Sequence, residues 1–361
     1  MRRIPTTKCQ PGVKLAKPIL NDIGGVLIAK DVELTQSMIE RLLQLGVDSL
    51  YIYDARTDDI EVKDVLSDKT RELALKSIKD TFQDMFKEKL VHRPLTKGNL
   101  TLVFKPVLDH MLDDMKANQQ AMLMLSSIYI KDLYLYTHSL QVAIYSISMG
   151  MAKGYNQQQL SELGLGAMLH DIGKTKVPIS VLEKKEPLTE EEFALIRSHT
   201  EYGFDLLRKE PGIPLLSAHC AYQHHERING GGYPRGLSGD DIHEYARIVA
   251  IADVYDALVS KRAYKNTILP HEALEFLYSK AGVDFDRDLL ELFRKTIAIY
   301  PIGTNIILNS GELGIVVDIN SKYPDRPIIR VLEDKNQGIV DSPYEIDLSK
   351  ESSKVIISCL N

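Results

Sequence analysis

Apolar positions along this chain change their period from one stretch to the next, and each period predicts a different kind of element. Val13 to Leu20 alternates as a strand does, Asn21-Asp22-Ile23-Gly24-Gly25 offers a turn, and Val26 to Ala29 returns. Thr35 is placed to cap a helix that carries Met38, Ile39, Leu42, Leu43 and Leu45 and stops at Gly46. Leu50 to Tyr53 reads as a closing strand, so residues 1–62 form a small α/β module. From Ser67 the spacing becomes helical, with Leu75, Ile78, Phe82, Met85 and Phe86 in phase. Arg93-Pro94 and Lys97-Gly98-Asn99 interrupt it before a further helix through Val103, Val107, Met111 and Met115. Residues 63–124 are expected to be a helical linker, or a surface on which a homodimer forms.

Helical periodicity fills residues 125–300. Asn156 with Gln159, and Thr189 with Glu192, read as capping boxes, while Gly154, Gly173 and Gly282 read as helix stops. Ala246 to Val259 is a mostly apolar helix carrying Asp253 and Asp256 on one face, and buried carboxylates of this kind need a partner such as a metal. After Tyr300-Pro301 the period falls to two. Asn305–Leu308, Gly314–Ile319, Ile328–Leu332 and Val355–Ser358 read as short strands, making residues 301–361 a small β-module. The fold class expected is therefore mainly α, with a small N-terminal α/β module and a small C-terminal β-module.

Composition narrows the function classes. The chain has 361 residues, 44% hydrophobic and 26% charged, which describes a globular protein of more than one domain. A net charge of −6 argues against binding a nucleic-acid polymer over an extended face. Cys9, Cys220 and Cys359 form no Cys-x-x-Cys pair and point to a reducing compartment, with Cys220 as a small buried apolar residue. The N-terminus lacks a secretory apolar core. The longest apolar stretch, residues 140–152, is broken by Gln141, Ser146 and Ser148 and falls short of the ~18 residues a membrane helix needs. A cytoplasmic location without membrane insertion is the expectation.

The chemistry-bearing set is His138, His170, Asp171, His199, His224, His225 and Asp253. Neutral imidazoles with carboxylates suit divalent cations, and two ions would need a bridging carboxylate. Asp171 can bridge, with His138, His170 and Asp253 completing one site and His199, His224 and His225 the other. Such a pair leaves room for a bridging water, which becomes a hydroxide near neutral pH and attacks phosphorus in line with its leaving oxygen. Lys174, Arg262 and Lys265 are phosphate clamps by type and position. Glu226 reads either as a carboxylate orienting an imidazole or as a plain salt bridge, and Asp256 either as a residue that holds a ligand or substrate group or as a helix-packing group. His92, His110 and His271 are assigned no role, and His219 is read as packing. Gly230, Gly231, Gly232, Tyr233 and Pro234 shape a loop that lets backbone approach a ligand.

Together, His170-Asp171-Ile172-Gly173-Lys174, His224-His225-Glu226, Gly232-Tyr233-Pro234 and the helix through Asp253-Val254-Tyr255-Asp256 resemble the HD-GYP family of HD-superfamily phosphohydrolases. The match runs from about Leu125 to Tyr300. It implies an all-helical HD-type catalytic domain that hydrolyses cyclic di-GMP to linear pGpG, and onward to GMP. It implies further that the seven residues above bind iron, manganese or another divalent metal, with Asp171 and Lys174 as the catalytic pair. Lys174, Arg262 and Lys265 would touch the phosphates, Tyr233 would lie beside the substrate, and diguanylate cyclase (GGDEF) proteins would be partners. The terminal modules resemble extensions common on Gram-positive-type members. Three departures stand out: Asn229 where the family has Asp, His243 where it commonly has Pro, and Tyr134 where some members place a Glu that binds a third metal. A tyrosine with a pKa of ~10 is a poor ligand at neutral pH, so two ions per chain are expected. The alternatives are a phosphodiesterase for another cyclic dinucleotide such as cyclic GMP-AMP, and a non-catalytic receptor or scaffold, a class marked by loss of ligands.

Overall fold

The computed structural model describes residues 1–21, 25–47, 49–60, 64–87, 100–118, 134–182, 184, 186–260, 268–297, 299–320, 322–336 and 338–360. At the N-terminus, β1 (Arg2–Pro5) pairs antiparallel with β4 (Ser49–Ile52), and β2 (Ile19–Leu20) with β3 (Val26–Ile28). Helix α1 (Gln36–Gln44) starts where Thr35 accepts the Met38 N–H, and Gly46 ends it at φ 75°. Of the expected turn, Asp22, Ile23 and Gly24 lie outside the described residues, while the Asn21 side chain accepts the Gly25 N–H at 2.9 Å. Leu15, Ile19, Ile39, Leu42 and Leu50 close a separate small core. Strand β1 was not anticipated, because a four-residue strand shows its alternation only through a partner far along the chain.

Helices α2 (Asp68–Lys87) and α3 (Leu100–Ala117) occupy the stretch expected as a linker or dimer surface. Their apolar residues, among them Leu75, Ile78, Phe82, Phe104, Val107 and Met111, are buried in the same core as α4 (Tyr134–Lys153) and α5 (Gln157–Leu169). Periodicity showed that a face is buried but not against what. Arg93-Pro94 and Lys97-Gly98-Asn99 lie outside the described residues. Both capping boxes form as expected, Asn156 with Gln159 at α5 and Thr189 with Glu192 at α7 (Glu190–Arg197). The helical body continues with a 3-10 turn (Ile172–Lys176), α6 (Ile179–Leu182), α8 (His199–Leu207), α9 (Leu215–Gln223), α10 (Glu244–Val259), α11 (Pro270–Ser279) and α12 (Arg287–Thr296). Cys220 is fully buried in it, and burial pushes its thiol up.

Five antiparallel strands form the C-terminal sheet: β5 (Asn305–Leu308), β6 (Leu313–Asp318), β7 (Ile328–Glu333), β8 (Ile339–Asp347) and β9 (Ile356–Leu360), in the order β8-β7-β6-β5-β9. The strand the sequence concealed is β8. It lies at an edge, exposes most of its residues and holds Pro343, so it lacks the alternation of a half-buried strand. Ile306, Leu308 and Ile356 join the helical core. Arg330 reaches the other way, to Asp59 at 2.6 Å and Glu345 at 2.8 Å, tying this sheet to the N-terminal module. The mainly α fold expected is thus the fold observed. Among the described residues no helix is long and apolar enough to cross a membrane.

Candidate metal centre

His138 projects from the second turn of α4 and Asp253 from the middle of α10, whereas the other candidate ligands stand at helix ends: His170 and Asp171 after α5, His199 at the start of α8, His224 and His225 after α9. The structure brings all seven together. His138, His170 and Asp171 form one group, and His199, His224 and His225 another, the donor atoms within each lying no more than 4.8 Å apart. Asp171 stands between them. Its Oδ2 is 3.4 Å from His170 Nε2 and 3.8 Å from His138 Nε2, while its Oδ1 is 3.4 Å from His199 Nε2 and 4.0 Å from His224 Nε2. Asp253 Oδ1 lies 3.1 Å from His138 Nε2.

The imidazole tautomers test whether this set fits metal ions. The Nδ1 atoms of His170, His199 and His224 bond to the carbonyls of Ala167 at 2.7 Å, Ile196 at 2.6 Å and Cys220 at 3.0 Å. A carbonyl accepts only, so each Nδ1 carries the proton and each Nε2 turns a lone pair to the centre. There His199 Nε2 and His224 Nε2 face each other at 3.2 Å, and the buried His170 Nε2 and Asp171 Oδ1 make no hydrogen bond among the described residues. Buried acceptors turned on one another are costly unless a cation satisfies them. The residues fit divalent ions.

Electrostatics divide the cluster. Burial lowers His199 to about 4 and His225 to about 3, and with its histidine neighbours holds His224 well below its ordinary value, so these three candidate ligands are neutral. His138 goes the other way. Burial opposes its charge, but hydrogen bonds to Asp253 and then Asp256 outweigh that and raise it to about 9. Burial likewise opposes the charge of Asp171, yet Lys174 and then His170 hold it well below the usual carboxylate range. Lys174 Nζ lies 2.5 Å from Asp171 Oδ2 and keeps about a quarter of its side chain exposed.

Gly173 was read as a helix stop, but close approach is its role. A Cβ there would lie 1.8 Å from the carbonyl oxygen of His199, so only glycine lets the His170-Asp171 turn settle against the start of α8. Gly232 acts similarly beneath the Tyr233 loop, where a Cβ would come within 2.4 Å of the Glu226 and Arg227 backbone. Tyr233 stacks on His225 with ring centroids 4.7 Å apart. Among the described residues Glu226 neither orients an imidazole nor forms a salt bridge. Buried, it accepts the backbone N–H groups of Arg235 at 2.8 Å and Leu237 at 3.0 Å, closing the loop on itself.

Asp256 takes up one of the readings left open to it, a group that holds a candidate ligand. It is buried, and its oxygens are taken by His138 Nδ1 at 2.7 Å and Ser260 Oγ at 2.9 Å, so it stands behind a candidate ligand rather than against a substrate. Arg262 and Lys265 lie outside the described residues, as does the side chain of Tyr134, the first residue of α4. His243 caps α10, its Nδ1 accepting the Tyr245 N–H at 3.1 Å. Asn229 donates to Asp284 at 3.2 Å, a contact that an aspartate could not make. His219 packs against Phe204, and His271 bonds the Tyr300 hydroxyl.

Residues 111–289 match the HD domain family, and residues 305–361 match a KOW domain associated with HD domain. A cyclic di-GMP phosphodiesterase of Pseudomonas aeruginosa is 34% identical over 230 residues, 64% of this chain and 55% of that protein. Another from Thermotoga maritima is 38% identical over 166 residues, 46% of this chain and 45% of that protein. A 3'3'-cGAMP-specific phosphodiesterase of Vibrio cholerae is 36% identical over 156 residues, 43% of this chain and 30% of that protein. The chain spans about half, or less, of the length of these curated relatives. In fold it is similar to an HDG"Y"P protein from Bdellovibrio bacteriovorus, with a TM-score of 0.52 at 18% identity, covering 81% of this chain and 97% of that one. The helical body with His170-Asp171 at its centre defines the class, an HD domain. With Gly232-Tyr233-Pro234 beside it and these relatives, the chain belongs to the HD-GYP family.

Proposed function

We propose that this chain is a cytoplasmic, metal-dependent phosphodiesterase that opens cyclic di-GMP to linear pGpG, with GMP as a further product. One observation carries the reading: buried imidazole nitrogens and a buried carboxylate converge on a common centre beside the quarter-exposed Lys174, with His170 Nε2 and Asp171 Oδ1 unsatisfied among the described residues. His138, His170 and Asp253 would hold one ion and His199, His224 and His225 the other, with one oxygen of Asp171 toward each. Iron or manganese suits this mixed nitrogen and oxygen set. When bound, two such ions supply a nucleophile at neutral pH and neutralise charge on a phosphoryl group.

The chain's own groups do the rest. Lys174 sets an ammonium at the edge of the cluster, where it neutralises a phosphate oxygen while holding Asp171 ionised. Asp256 fixes His138 from behind, keeping Nε2 toward the centre. Glu226 and Gly232 hold the loop that presents Tyr233 beside His225. As a division of labour, the helical body including α2 and α3 is the catalytic unit and the terminal modules attach to it. The apolar residues that prompted a homodimer reading are used in that core.

Chromatography of products tests the function. Protein purified without oxygen is supplied with Mn or Fe and incubated with cyclic di-GMP, cyclic GMP-AMP or linear pGpG. Cyclic di-GMP should give pGpG, and metal analysis should give about two ions per chain. Turnover of cyclic GMP-AMP alone would move the substrate, no turnover of any would favour a receptor, and three ions would refute the Tyr134 expectation.

A further inference from the structure

A line of stacked planar groups leads outward from the cluster. Tyr233 lies on the candidate ligand His225, with ring centroids 4.7 Å apart and planes at 25°. The Arg197 guanidinium follows over Tyr233 at 5.3 Å and over Phe193 at 4.3 Å. Arg197 is exposed in the last turn of α7, two residues before His199. No carboxylate stands within ion-pair distance of it among the described residues, whereas Arg208, Arg247 and Arg330 each have one. Two aromatic rings therefore flank it, while among the described residues its N–H fork stays unclaimed. A guanidinium anchored in this way recognises a planar pair of acceptors, and a flexible ammonium does not replace it.

We propose that Arg197 is the base-reading residue of this site, its fork donating to O6 and N7 of a guanine whose phosphate lies at the metal cluster. The inference rests on the phosphodiesterase reading above and adds a specificity determinant to it. Position supports a base contact, since Arg197 sits one stacked ring further out than Tyr233. Chemistry supports guanine. Its O6 and N7 both accept, and bidentate pairing with arginine is the commonest specific contact to that edge. Adenine presents an N6 amine in place of O6, so one guanidinium N–H would face another donor.

The test compares intact, Mn-loaded wild type with R197A and R197K on cyclic di-GMP, cyclic di-AMP and 3'3'-cyclic GMP-AMP. In both variants the kcat/KM ratio of cyclic di-GMP over cyclic di-AMP should fall by about tenfold or more, the discrimination a bidentate guanine pair supplies. Cyclic GMP-AMP should open to one linear isomer in wild type and to a mixture in R197A. Equal losses on all substrates would overturn the proposal, because they would mean a phosphate contact or a loosened Tyr233 loop. Unchanged kinetics, or full rescue of selectivity by lysine, would overturn it too. If wild type turns over none of the substrates, the phosphodiesterase reading fails separately, and calorimetric affinities for the same nucleotides decide on Arg197. A guanine preference that R197A abolishes then supports it, and an unaltered preference or no binding refutes it.

Discussion

His199, His224 and His225 are stripped of charge by burial and by one another, whereas His138, a few ångströms away, is held as an imidazolium between Asp253 and Asp256. The difference lies in what stands behind each ring. His199 and His224 lean on backbone carbonyls, which fix a tautomer without favouring a charge. Behind His138 is the carboxylate of Asp256. In the metal-free chain the proton on His138 therefore occupies the place of a cation. On the proposed two-ion reading, one half of the centre would be ready to ligate, and the other would exchange a proton for a metal.

Removing Asp171, which both halves share, together with its neighbour His170 should break this comparison most severely. His170→Ala with Asp171→Ala is expected to abolish turnover of cyclic di-GMP, well beyond the about 10- to 100-fold lost with the partner of a ligand. Wild-type turnover in the double variant would remove the proposed centre. Asp256→Asn should fall within that 10- to 100-fold range, in metal affinity or rate. Metal content should drop in the His138 half while the three-histidine half stays filled, and equal loss from both would show that the halves do not differ as described.

Acidity sharpens the same contrast. His138 has a folded value of about 9 against an ordinary 6.5, so its ion pairs stabilise the metal-free chain fully below about pH 6.5 and cease to as pH rises through 9. His199 and His225 carry depressed values of about 4 and 3, so their contribution is present above about pH 6.5 and is lost as pH falls through 4 and 3. Thermal melts of metal-free protein should weaken toward both extremes. Calorimetric metal titration at pH 7 in buffers of different ionisation enthalpy should show about one proton released per chain, from His138. No release would contradict the assigned charge.

Two smaller effects concern the Tyr233 loop. Glu226→Ala leaves two N–H groups without their acceptor and should cost about 2 kcal/mol in denaturant unfolding. Asn229→Asp turns an amide–carboxylate contact into two facing carboxylates at an exposed site, and should cost only about 0.5 kcal/mol. A larger loss from the second than from the first would reverse the importance given to each residue.

What could be read from the sequence was local. Thr35, Asn156 and Thr189 cap helices because a side chain three residues away from an N–H is near it whatever the rest of the chain does. Strands β5, β6 and β7 showed a period of two because one face is buried. The residue types able to hold a divalent ion were likewise visible, since donor chemistry belongs to the side chain. The rest depended on contacts distant in sequence. Strand β1 needed β4, the faces of α2 and α3 needed α4 and α5, and edge strand β8 lacked the burial that produces alternation. Asp256 looked like a candidate contact until His138, 118 residues away, was found against it. Arg197 carried no motif at all, and only the fold set it over Tyr233 with its fork unclaimed among the described residues. The chain by itself determined which groups can bind metal and phosphate; tertiary structure decided which of them face one another, because burial and charge come from neighbours that the order of residues does not name.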